Sequence, residues 1–415
     1  MKKLEIGIVG AGPAGLAAAL FLHRAGHRVV VVERFGEPKP LGSGLILQPT
    51  GLAVLAALGL RDEISALGAR IDRLYGADAA SGRTVLDVRY RALGAGLHGL
   101  AVHRAALFGV LHRAVGAEGI EIRTGCDIRG LDLAAGRPAP VDAQARRVGT
   151  FDLVVDASGA RSALRGLARV PAEPRPLAYG AFWASLDWRG EGFDGHALEQ
   201  RYRRASVMIG VLPIGRVAPG GREMAAFFWS LKPADAERVK AAGLEAWKAG
   251  VVHHWPEAAA YTDQIAGFDE LTLARYGHHT LACPAGQAIA FIGDAAHSTS
   301  PQLGQGANMA LLDAAALAAG LAAEREITAA LAAYCRARRW HVRTFQALSR
   351  LFTPFYQSDG RVLPFLRDTL VATLARVPPA PRLLASMVAG TIVDPGAGSA
   401  AALGDGSAAP GKVGR

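Results

Sequence analysis

The sequence predicts an α/β fold in which a discontinuous domain built on a parallel sheet is interrupted by a mainly antiparallel β-sheet domain and followed by C-terminal helices. Three observations lead to this prediction. Short apolar strands alternate with helical segments from residue 4 to about residue 156, as in βαβ units. Residues 172–278 instead carry alternating strands rich in aromatic residues. The first pattern then resumes with a strand at 288–292 and a helix after Gly306.

Length and composition place the chain among large globular proteins. Its 415 residues, 51% of them hydrophobic, are enough for two domains with substantial cores. No run of about 18 apolar residues lacks a charge or a glycine. Lys2 and Lys3 precede a strand and not a signal-peptide core, so we expect a cytoplasmic protein.

Charge and cysteine usage exclude several functional classes. The net charge is +10, but the basic residues are scattered, only seven of the 46 are lysine, and no nucleic-acid motif is present. We therefore expect no nucleic-acid partner and assign the excess charge to an anionic substrate or cofactor. Cys126, Cys283 and Cys335 are widely spaced without a C-x-x-C motif, which argues against disulfides and against a metal site.

The first βαβ unit carries the signature of a Rossmann-like dinucleotide-binding domain. A strand at 4–9 leads directly into Gly10-Ala-Gly12-Pro-Ala-Gly15 and a helix from Pro13 to about residue 25. Gly10 allows the tight turn, Gly12 lets a pyrophosphate approach the backbone, and Gly15 lets the helix pack on the sheet. Pro13 suits the first helical turn, where the free amides that begin at Ala14 bind phosphate.

The end of the second strand indicates which dinucleotide is bound. The strand at 29–32 ends at Glu33, whose carboxylate can accept hydrogen bonds from ribose hydroxyls and would repel a 2′-phosphate. FAD or NAD is therefore favoured over NADP. The segment from Gly94 to Gly99 matches the same glycine pattern, but no strand precedes it and no acidic strand end follows it, so we interpret it as a loop.

The remaining elements follow the same two patterns. A glycine-containing loop at 41–60 leads into a helix, and two short strands flank a turn at 80–82. Further predicted elements are a helix at 103–117, a strand at 120–124, a hairpin at 137–149, a strand at 151–156, strands at 179–188, 204–215 and 222–232, and a helix at 234–253. Prolines, the first of them Pro354, are expected to break 350–395 into helical pieces that cover the sheet, or contact a membrane or a second subunit. Residues 396–415 are predicted to be disordered.

Three motifs together resemble the single-component FAD-dependent aromatic monooxygenases with the p-hydroxybenzoate hydroxylase fold, including the salicylate-hydroxylase-like and 2-polyprenyl-6-methoxyphenol-hydroxylase-like members. They are the Gly10–Gly15 loop with Glu33, FDLVVDASGARSALR at 151–165, and FIGDAAHSTSPQLGQGANMALLDA at 291–314. The resemblance covers about residues 4–350. It implies bound FAD, with NAD(P)H, O2 and a small aromatic molecule as substrates.

The resemblance assigns roles to individual residues. Asp294 would bind the ribitol of the flavin chain, and Pro301 would lie beside the reacting face. The loop that follows would run along the isoalloxazine, with backbone amides exposed at Gly304, Gly306 and Ala307, and Asn308 would also contact the cofactor. Arg104 would contact the flavin or its phosphates, and Gly44 and Gln48 would belong to a mobile loop beside the ring. Arg34 would stack on adenine or remain a solvated surface residue. No metal, acid or base is assigned, and His297 is given no catalytic role.

The implied reaction is the delivery of one oxygen atom of O2 from flavin C4a to an aromatic ring, with Trp183, Phe227 and Trp229 expected to line the substrate pocket. Two alternatives remain open: a flavin-dependent reductase of an isoprenoid, and a non-catalytic dinucleotide-binding protein. One motif departs from the family, because Asp156-Ala-Ser-Gly159 stands where members usually carry G-A-D-G. The expected FAD-binding domain comprises 1–70, 96–171 and 279–349, and the substrate domain comprises 71–95 and 172–278.

Overall fold

A computed structural model describes residues 3–37, 42–134, 136–375 and 377–395, so the predicted disordered tail at 396–415 lies outside the described residues. Its centre is a six-stranded sheet in which Glu5–Val9 lies between Arg28–Val32 and Leu153–Asp156, all parallel. The complete strand order is Ala285–Gly286, Ile289–Phe291, Leu153–Asp156, Glu5–Val9, Arg28–Val32 and Glu121–Arg123. Ile6 and Ile8 are fully buried, as a parallel sheet covered on both faces requires. The predicted α/β class is confirmed.

Alanine-rich helices cover this sheet. Pro13–Arg24 packs against Arg104–Ala117 and against Gly306–Ala323, which in turn packs against Ile327–Tyr356. Of the helices in the described part of the chain, Gly306–Ala323 alone is long and apolar enough to cross a membrane, but most of it is buried within the protein. Its small side chains let neighbouring helices approach closely, so its hydrophobicity is that of a core helix.

A second sheet has seven strands. Its strand order is Thr272–Ala274, Gly180–Asp187, Met224–Leu231, Val207–Gly215, Ala197–Arg203, Arg73–Asp78 and Thr84–Arg89. Pairing is antiparallel except between Ala197–Arg203 and Arg73–Asp78. The strand Ala197–Arg203 was not predicted, because its charged residues and its burial pattern, with Ala197, Gln200 and Tyr202 buried, do not follow the simple alternation of a half-buried strand.

Three local predictions are wrong. The helix expected at 234–253 consists of Ala236–Ala241 and Leu244–His254, because Gly243 between them has a φ of 93°. The strand Ala139–Asp142 pairs with Ile128–Asp132, so the hairpin predicted at 137–149 is reduced to an isolated bridge. The helix Ile327–Tyr356 continues through Pro354 and ends two residues later, so this proline removes one amide hydrogen bond near the end of the helix without breaking it.

The expectation that the chain contains no disulfide is also wrong. Cys283 and Cys335 are joined by a disulfide, with Cα atoms 5.5 Å apart and a sequence separation of 52. They become neighbours because helix Ile327–Tyr356 packs against the edge strand Ala285–Gly286. A long separation of this kind leaves no local signal in the sequence. Cys126 keeps a free thiol.

The other elements are short and connect these layers. The strands not yet given are Gly44–Leu47, Ala69–Ile71, Gly99–His103, Arg175–Pro176, Gly277–Thr280 and His297–Ser298. The helices not yet given are Pro49–Ala57, Arg61–Leu67, Ala259–Thr262, Val362–Leu366, Ala372–Leu374 and Ala380–Ala389. The last of these helices contacts strand Thr84–Arg89 and therefore closes one side of the space over the seven-stranded sheet.

Candidate active site

The glycine loop has the geometry of a phosphate-binding turn. Gly10 has a φ of 105°, and a Cβ atom there would lie 2.6 Å from the carbonyl oxygen of Ala157. A Cβ atom on Gly15 would overlap the carbonyl oxygen of Gly10, because the helix and the strand approach so closely. A Cβ atom on Gly12 would meet no heavy atom within 4 Å. Gly10 and Gly15 are therefore required by the fold, whereas the space beside Gly12 is open to a ligand.

The carboxylate of Glu33 fixes this loop to the end of the neighbouring strand. Its Oε2 accepts a hydrogen bond from the backbone N–H of Ala11 at 2.7 Å, and its Oε1 accepts one from Phe35 at 3.1 Å. The side chain is buried, so these bonds hold the acidic group beside the glycine loop. The adjacent Arg34 is exposed, and its guanidinium carbon lies 4.5 Å from the centroid of the Phe35 ring.

The segment after strand Ile289–Phe291 presents Asp294 to a cleft. Gly293 has a φ of 59°, and its backbone N–H donates to Oδ2 of Asp313 at 2.9 Å. The side chain of Asp294 is accessible from the cleft. The surrounding protein raises the pKa of this carboxyl group by desolvation, which the positive charges of His297 and Arg104 partly offset. Asp294 therefore offers a carboxylate to hydroxyl groups of a ligand in the cleft.

A buried ionic network stabilises the segment that follows strand Ile289–Phe291. Oδ2 of Asp313 lies 2.6 Å from Nε2 of His297, and its Oδ1 accepts a hydrogen bond from Nε of Arg338 at 2.7 Å. Burial raises the pKa of Asp313, but the charges of His297 and Arg338 outweigh that effect and lower it to about 2. Sequence reasoning missed Asp313, although a carboxylate inside the apolar helix Gly306–Ala323 was a visible signal of a buried partner.

The glycine-rich loop at 301–308 forms one wall of the cleft. Pro301, Gly304, Gly306 and Ala307 all line it. Gly304 has a φ of 61°, and a Cβ atom on Gly306 would meet no heavy atom within 4 Å. The 18-residue helix that begins at Gly306 directs its positive end towards the same space. This wall is therefore suited to a planar group that carries negative charge.

Asn308 differs from the expectation that it contacts a cofactor. Its side chain is fully buried and does not line the cleft. Oδ1 accepts a hydrogen bond from the backbone N–H of Gln48 at 2.8 Å, while Nδ2 donates to the carbonyl oxygens of Ile46 at 3.1 Å and Gly304 at 3.0 Å. The amide therefore ties two loops of the cleft together, and its influence on a ligand acts through their positions.

A second wall is formed by the loop at 42–48 and the start of helix Arg104–Ala117. The side chain of Arg104 lines the cleft, and its backbone N–H donates to the carbonyl oxygen of Ser43 at 2.9 Å. Gly42 has a φ of 99°, and a Cβ atom there would lie 2.9 Å from Cδ of Arg104. Gly44 also lines the cleft, where a Cβ atom would overlap Ile214 of the seven-stranded sheet. Both glycines thus bring backbone close to the site.

The cleft has a volume of about 450 Å³ and continues over the face of the seven-stranded sheet. Trp183 and Phe228 line it, with ring centroids 4.8 Å apart. Nε1 of Trp183 donates to the hydroxyl of Tyr276 at 2.8 Å, which fixes the orientation of the indole. The pocket role expected for Trp183 therefore has the required geometry.

Phe227 and Trp229 do not line the cleft, and the expectation for them is wrong. They pack on the other face of the sheet against Trp247, with ring centroids 6.2 and 6.0 Å away. Side chains alternate along a strand, so Phe228 faces the cleft while its two neighbours do not. The pairing register, in which Trp183 lies opposite Phe228, places those two rings on one face. Sequence alone did not reveal which face was which.

Asp156 is turned away from the cleft. It is fully buried, and its Oδ1 accepts hydrogen bonds from the backbone N–H of Ser158 at 3.0 Å and from the Ser158 hydroxyl at 2.6 Å. The hydroxyl of Ser162 donates to Oδ2. Burial raises the pKa of Asp156, and these hydrogen bonds offset part of that increase. The departure from the usual family motif thus produces a carboxylate that stabilises its own turn.

The arrangement fits FAD. The open space beside Gly12, next to the first amides of helix Pro13–Arg24, suits a pyrophosphate, and Glu33 lies at the strand end where a ribose is bound in such folds. Asp294 presents a carboxylate to the cleft, where ribitol hydroxyls could donate to it. The Pro301–Ala307 wall would lie along the isoalloxazine.

Comparison with known proteins agrees with this geometry. The family described as FAD binding domain matches residues 3–347. Phenazine 1,6-dicarboxylic acid hydroxylase PhzS of Lysobacter antibioticus is 31% identical over 367 residues, 81% of this chain and 87% of the relative. Aurachin C monooxygenase/isomerase of Stigmatella aurantiaca is 27% identical over 400 residues, 90% of this chain and 94% of the relative. The fold also matches Klebsiella pneumoniae HpxO complexed with FAD and uric acid, with a TM-score of 0.80, 20% identity and coverage of 95% and 97% of the two chains. The chain therefore belongs to the FAD binding domain family, and within it to the FAD-dependent aromatic monooxygenases with the p-hydroxybenzoate hydroxylase-like fold.

Proposed function

We propose that this protein hydroxylates a small aromatic molecule, with NAD(P)H as the electron donor and O2 as the oxygen source. One observation carries the proposal. The cleft runs without interruption from Asp294 and the loop at 301–307 to the aromatic surface formed by Trp183 and Phe228. A planar substrate on that surface would lie beside the position that fits the flavin ring.

The chain's own residues would bind and orient the reactants. Bound FAD supplies the redox chemistry and the activation of O2. The rings of Trp183 and Phe228, tilted by 33° to each other, would contact an aromatic substrate, and the hydrogen bond to Tyr276 would keep the indole in place. The positive end of helix Gly306–Ala323 would stabilise negative charge beside the loop. The apolar walls would exclude water.

The assignment of residues to two functional domains is part of this proposal. Residues 1–70, 96–171 and 279–349 would hold FAD, and 71–95 with 172–278 would form the substrate side. The parallel pairing of strand Arg73–Asp78 with Ala197–Arg203 supports the grouping of the two substrate segments. NAD(P)H would bind transiently in the same cleft, and we expect substrate to accelerate flavin reduction.

The relatives bear on the alternatives. PhzS is named a hydroxylase and the Stigmatella relative a monooxygenase/isomerase, which supports oxygenation over reduction of an isoprenoid or a non-catalytic role. A cytoplasmic location, with no nucleic-acid partner, completes the proposal. The burial of helix Gly306–Ala323 is consistent with it, since a membrane span would need that helix at the surface.

The test begins with the purified protein, which should be yellow and should release FAD on heating. Phenols, quinolines and polyketide aromatics would then be screened for stimulation of NAD(P)H oxidation. A true substrate should yield a product that contains one oxygen atom from ¹⁸O2. Oxidation of NAD(P)H that releases only hydrogen peroxide with every compound, or a product whose added oxygen comes from water, would contradict the proposal.

A further inference from the structure

The cleft extends well beyond the aromatic surface. Trp183 lies on the strand Gly180–Asp187, and five inter-strand spacings separate it from Thr84–Arg89 at the far edge of the sheet. At about 4.8 Å each, two and three of these spacings place the strands of Leu212 and Leu198 about 10 and 14 Å from the strand of Trp183. The far part of the cleft, here called the distal chamber, lies between this edge of the sheet and helix Ala380–Ala389. Its defining residues are Leu86, Val88, Leu198, Leu212, Leu384 and Val388.

The distal chamber is apolar, and none of the described residues that line it is charged. The charged side chains that line the cleft are Arg104, Arg275 and Asp294, and none of them belongs to the strands or the helix that form the chamber. The polar residues of the adjoining wall are Gln200 and Tyr202, and the hydroxyl of Tyr202 donates to Oε1 of Gln200 at 2.9 Å. This bond pairs the Tyr202 hydroxyl with the Gln200 side-chain oxygen, and the residues that define the chamber beyond it are all aliphatic.

Several of these leucines are incompletely packed. Leu86, Leu198 and Leu384 are only half-buried, and all three line the cleft. Apolar side chains that are exposed to a cleft are typical of a ligand-binding site. An apolar ligand there would remove this surface from water.

The chamber is held open by its attachment to the rest of the site. Nε2 of Gln305 donates to the carbonyl oxygen of Val388 at 2.6 Å, and Nε2 of His341 lies 3.1 Å from the carbonyl oxygen of Gly390. The side chains of Gln305 and His341 are buried, so both hydrogen bonds are protected from water. Helix Ala380–Ala389 is therefore fixed to the glycine-rich loop, and its residues Ala385, Val388 and Ala389 pack in the core beside the chamber.

We propose that the substrate is an aromatic ring bearing a hydrocarbon chain of several carbons, and that this chain occupies the distal chamber. The inference rests on the proposed function, because it places the ring on Trp183 and Phe228. It adds a subsite that an unsubstituted ring would leave empty. Chain length should then control affinity, independently of which ring is hydroxylated.

The test is calorimetric titration of the FAD-loaded protein with two series of probes, 4-alkylphenols and 2-alkyl-4-quinolones, each with methyl, butyl and heptyl chains. Every added methylene that enters the chamber should lower Kd about three- to fourfold. Equal affinities for the methyl and heptyl members of both series, or no binding by either heptyl member, would overturn the inference.

A matched pair of variants locates the chain. Leu384→Trp fills the chamber, whereas Leu383→Trp places the same side chain on the outer, exposed side of the same helix. Leu384→Trp should weaken heptyl binding at least tenfold and leave methyl binding unchanged, while Leu383→Trp should resemble the parent protein. Leu198→Phe narrows the opposite wall and should act in the same direction should Leu384→Trp not fold.

The two proposals fail in different ways. Chain-dependent binding without incorporation of oxygen from O2 into any ring would refute the hydroxylase function and retain the subsite. Hydroxylation of small phenols, with no effect of chain length on Kd, would refute the subsite and retain the hydroxylase function. A heptyl preference that survives in both Leu384→Trp and Leu198→Phe would place the chain elsewhere and overturn the inference.

Discussion

The substitution Gly12→Val isolates the cofactor site from the fold. Gly12 has φ −74° and ψ 176°, an extended conformation that valine adopts without strain. A Cβ atom there would meet no protein atom within 4 Å, so the apoprotein should melt at the temperature of the parent protein. The added isopropyl group would instead fill the space that suits the pyrophosphate.

The expected loss of affinity follows from the hydrogen bonds that the phosphates would no longer make. A hydrogen bond to a charged group contributes about 1.5–3 kcal/mol. Loss of two such bonds to loop amides corresponds to about 3–6 kcal/mol, or a Kd for FAD raised roughly 10²- to 10⁴-fold. Titration of the apoprotein with FAD, followed by flavin fluorescence, measures this change directly.

Gly15→Val is the matched control for this experiment. A Cβ atom on Gly15 would overlap the carbonyl oxygen of Gly10, so this variant should be destabilised or fail to fold, and its loss of FAD would be indirect. A Gly12→Val variant that remains yellow and binds FAD with the Kd of the parent protein would refute the placement of the pyrophosphate. A lowered melting temperature of its apoprotein would refute the claim that the site and the fold are separable at this position.

Three further predictions test other parts of the site. Asp294→Ala should raise the Kd for FAD roughly ten- to a hundredfold, through loss of about 1–3 kcal/mol, and spare the apoprotein melting temperature; unchanged affinity would exclude a cofactor role. Trp183→Ala should impair substrate binding more than stability, whereas Phe227→Ala should cost about 3–5 kcal/mol of stability and leave the cleft wall intact. Denaturant unfolding measures the stability of both variants, and titration measures their substrate affinity. Weaker substrate binding by Phe227→Ala than by Trp183→Ala would contradict this assignment. Burial, with the charge of Arg338, lowers the pKa of His341 from 6.5 to about 3. Between these two pH values His341 binds a proton in the unfolded chain but not in the folded protein. The free energy of unfolding should therefore fall as pH decreases from about 6.5 towards 3. His341→Gln should flatten that dependence in thermal melts between about pH 7 and pH 5, and an unchanged slope would refute this assignment.

Local chemistry in the sequence was sufficient to predict the α/β class and the cofactor family. Strand, Gly10–Gly15 loop, helix and Glu33 are contiguous, and the backbone constraints of such a turn depend on neighbouring residues only. The motif that contains Asp294 and Pro301 could be recognised from the sequence for the same reason. The expected strand and helix boundaries of the first βαβ unit agree with Glu5–Val9 and Pro13–Arg24 to within one residue.

Tertiary structure alone decided which distant residues meet. The pairing register of the seven-stranded sheet, and not its aromatic composition, turned Phe228 to the cleft and Phe227 and Trp229 to the opposite core. Helix packing joined Cys283 to Cys335 and brought His297, Asp313 and Arg338 into one ionic network. The distal chamber likewise exists only because helix Ala380–Ala389 is held over the sheet by contacts with residues distant in sequence. Such contacts depend on burial and pairing across the whole molecule, for which a single sequence carries no local signal.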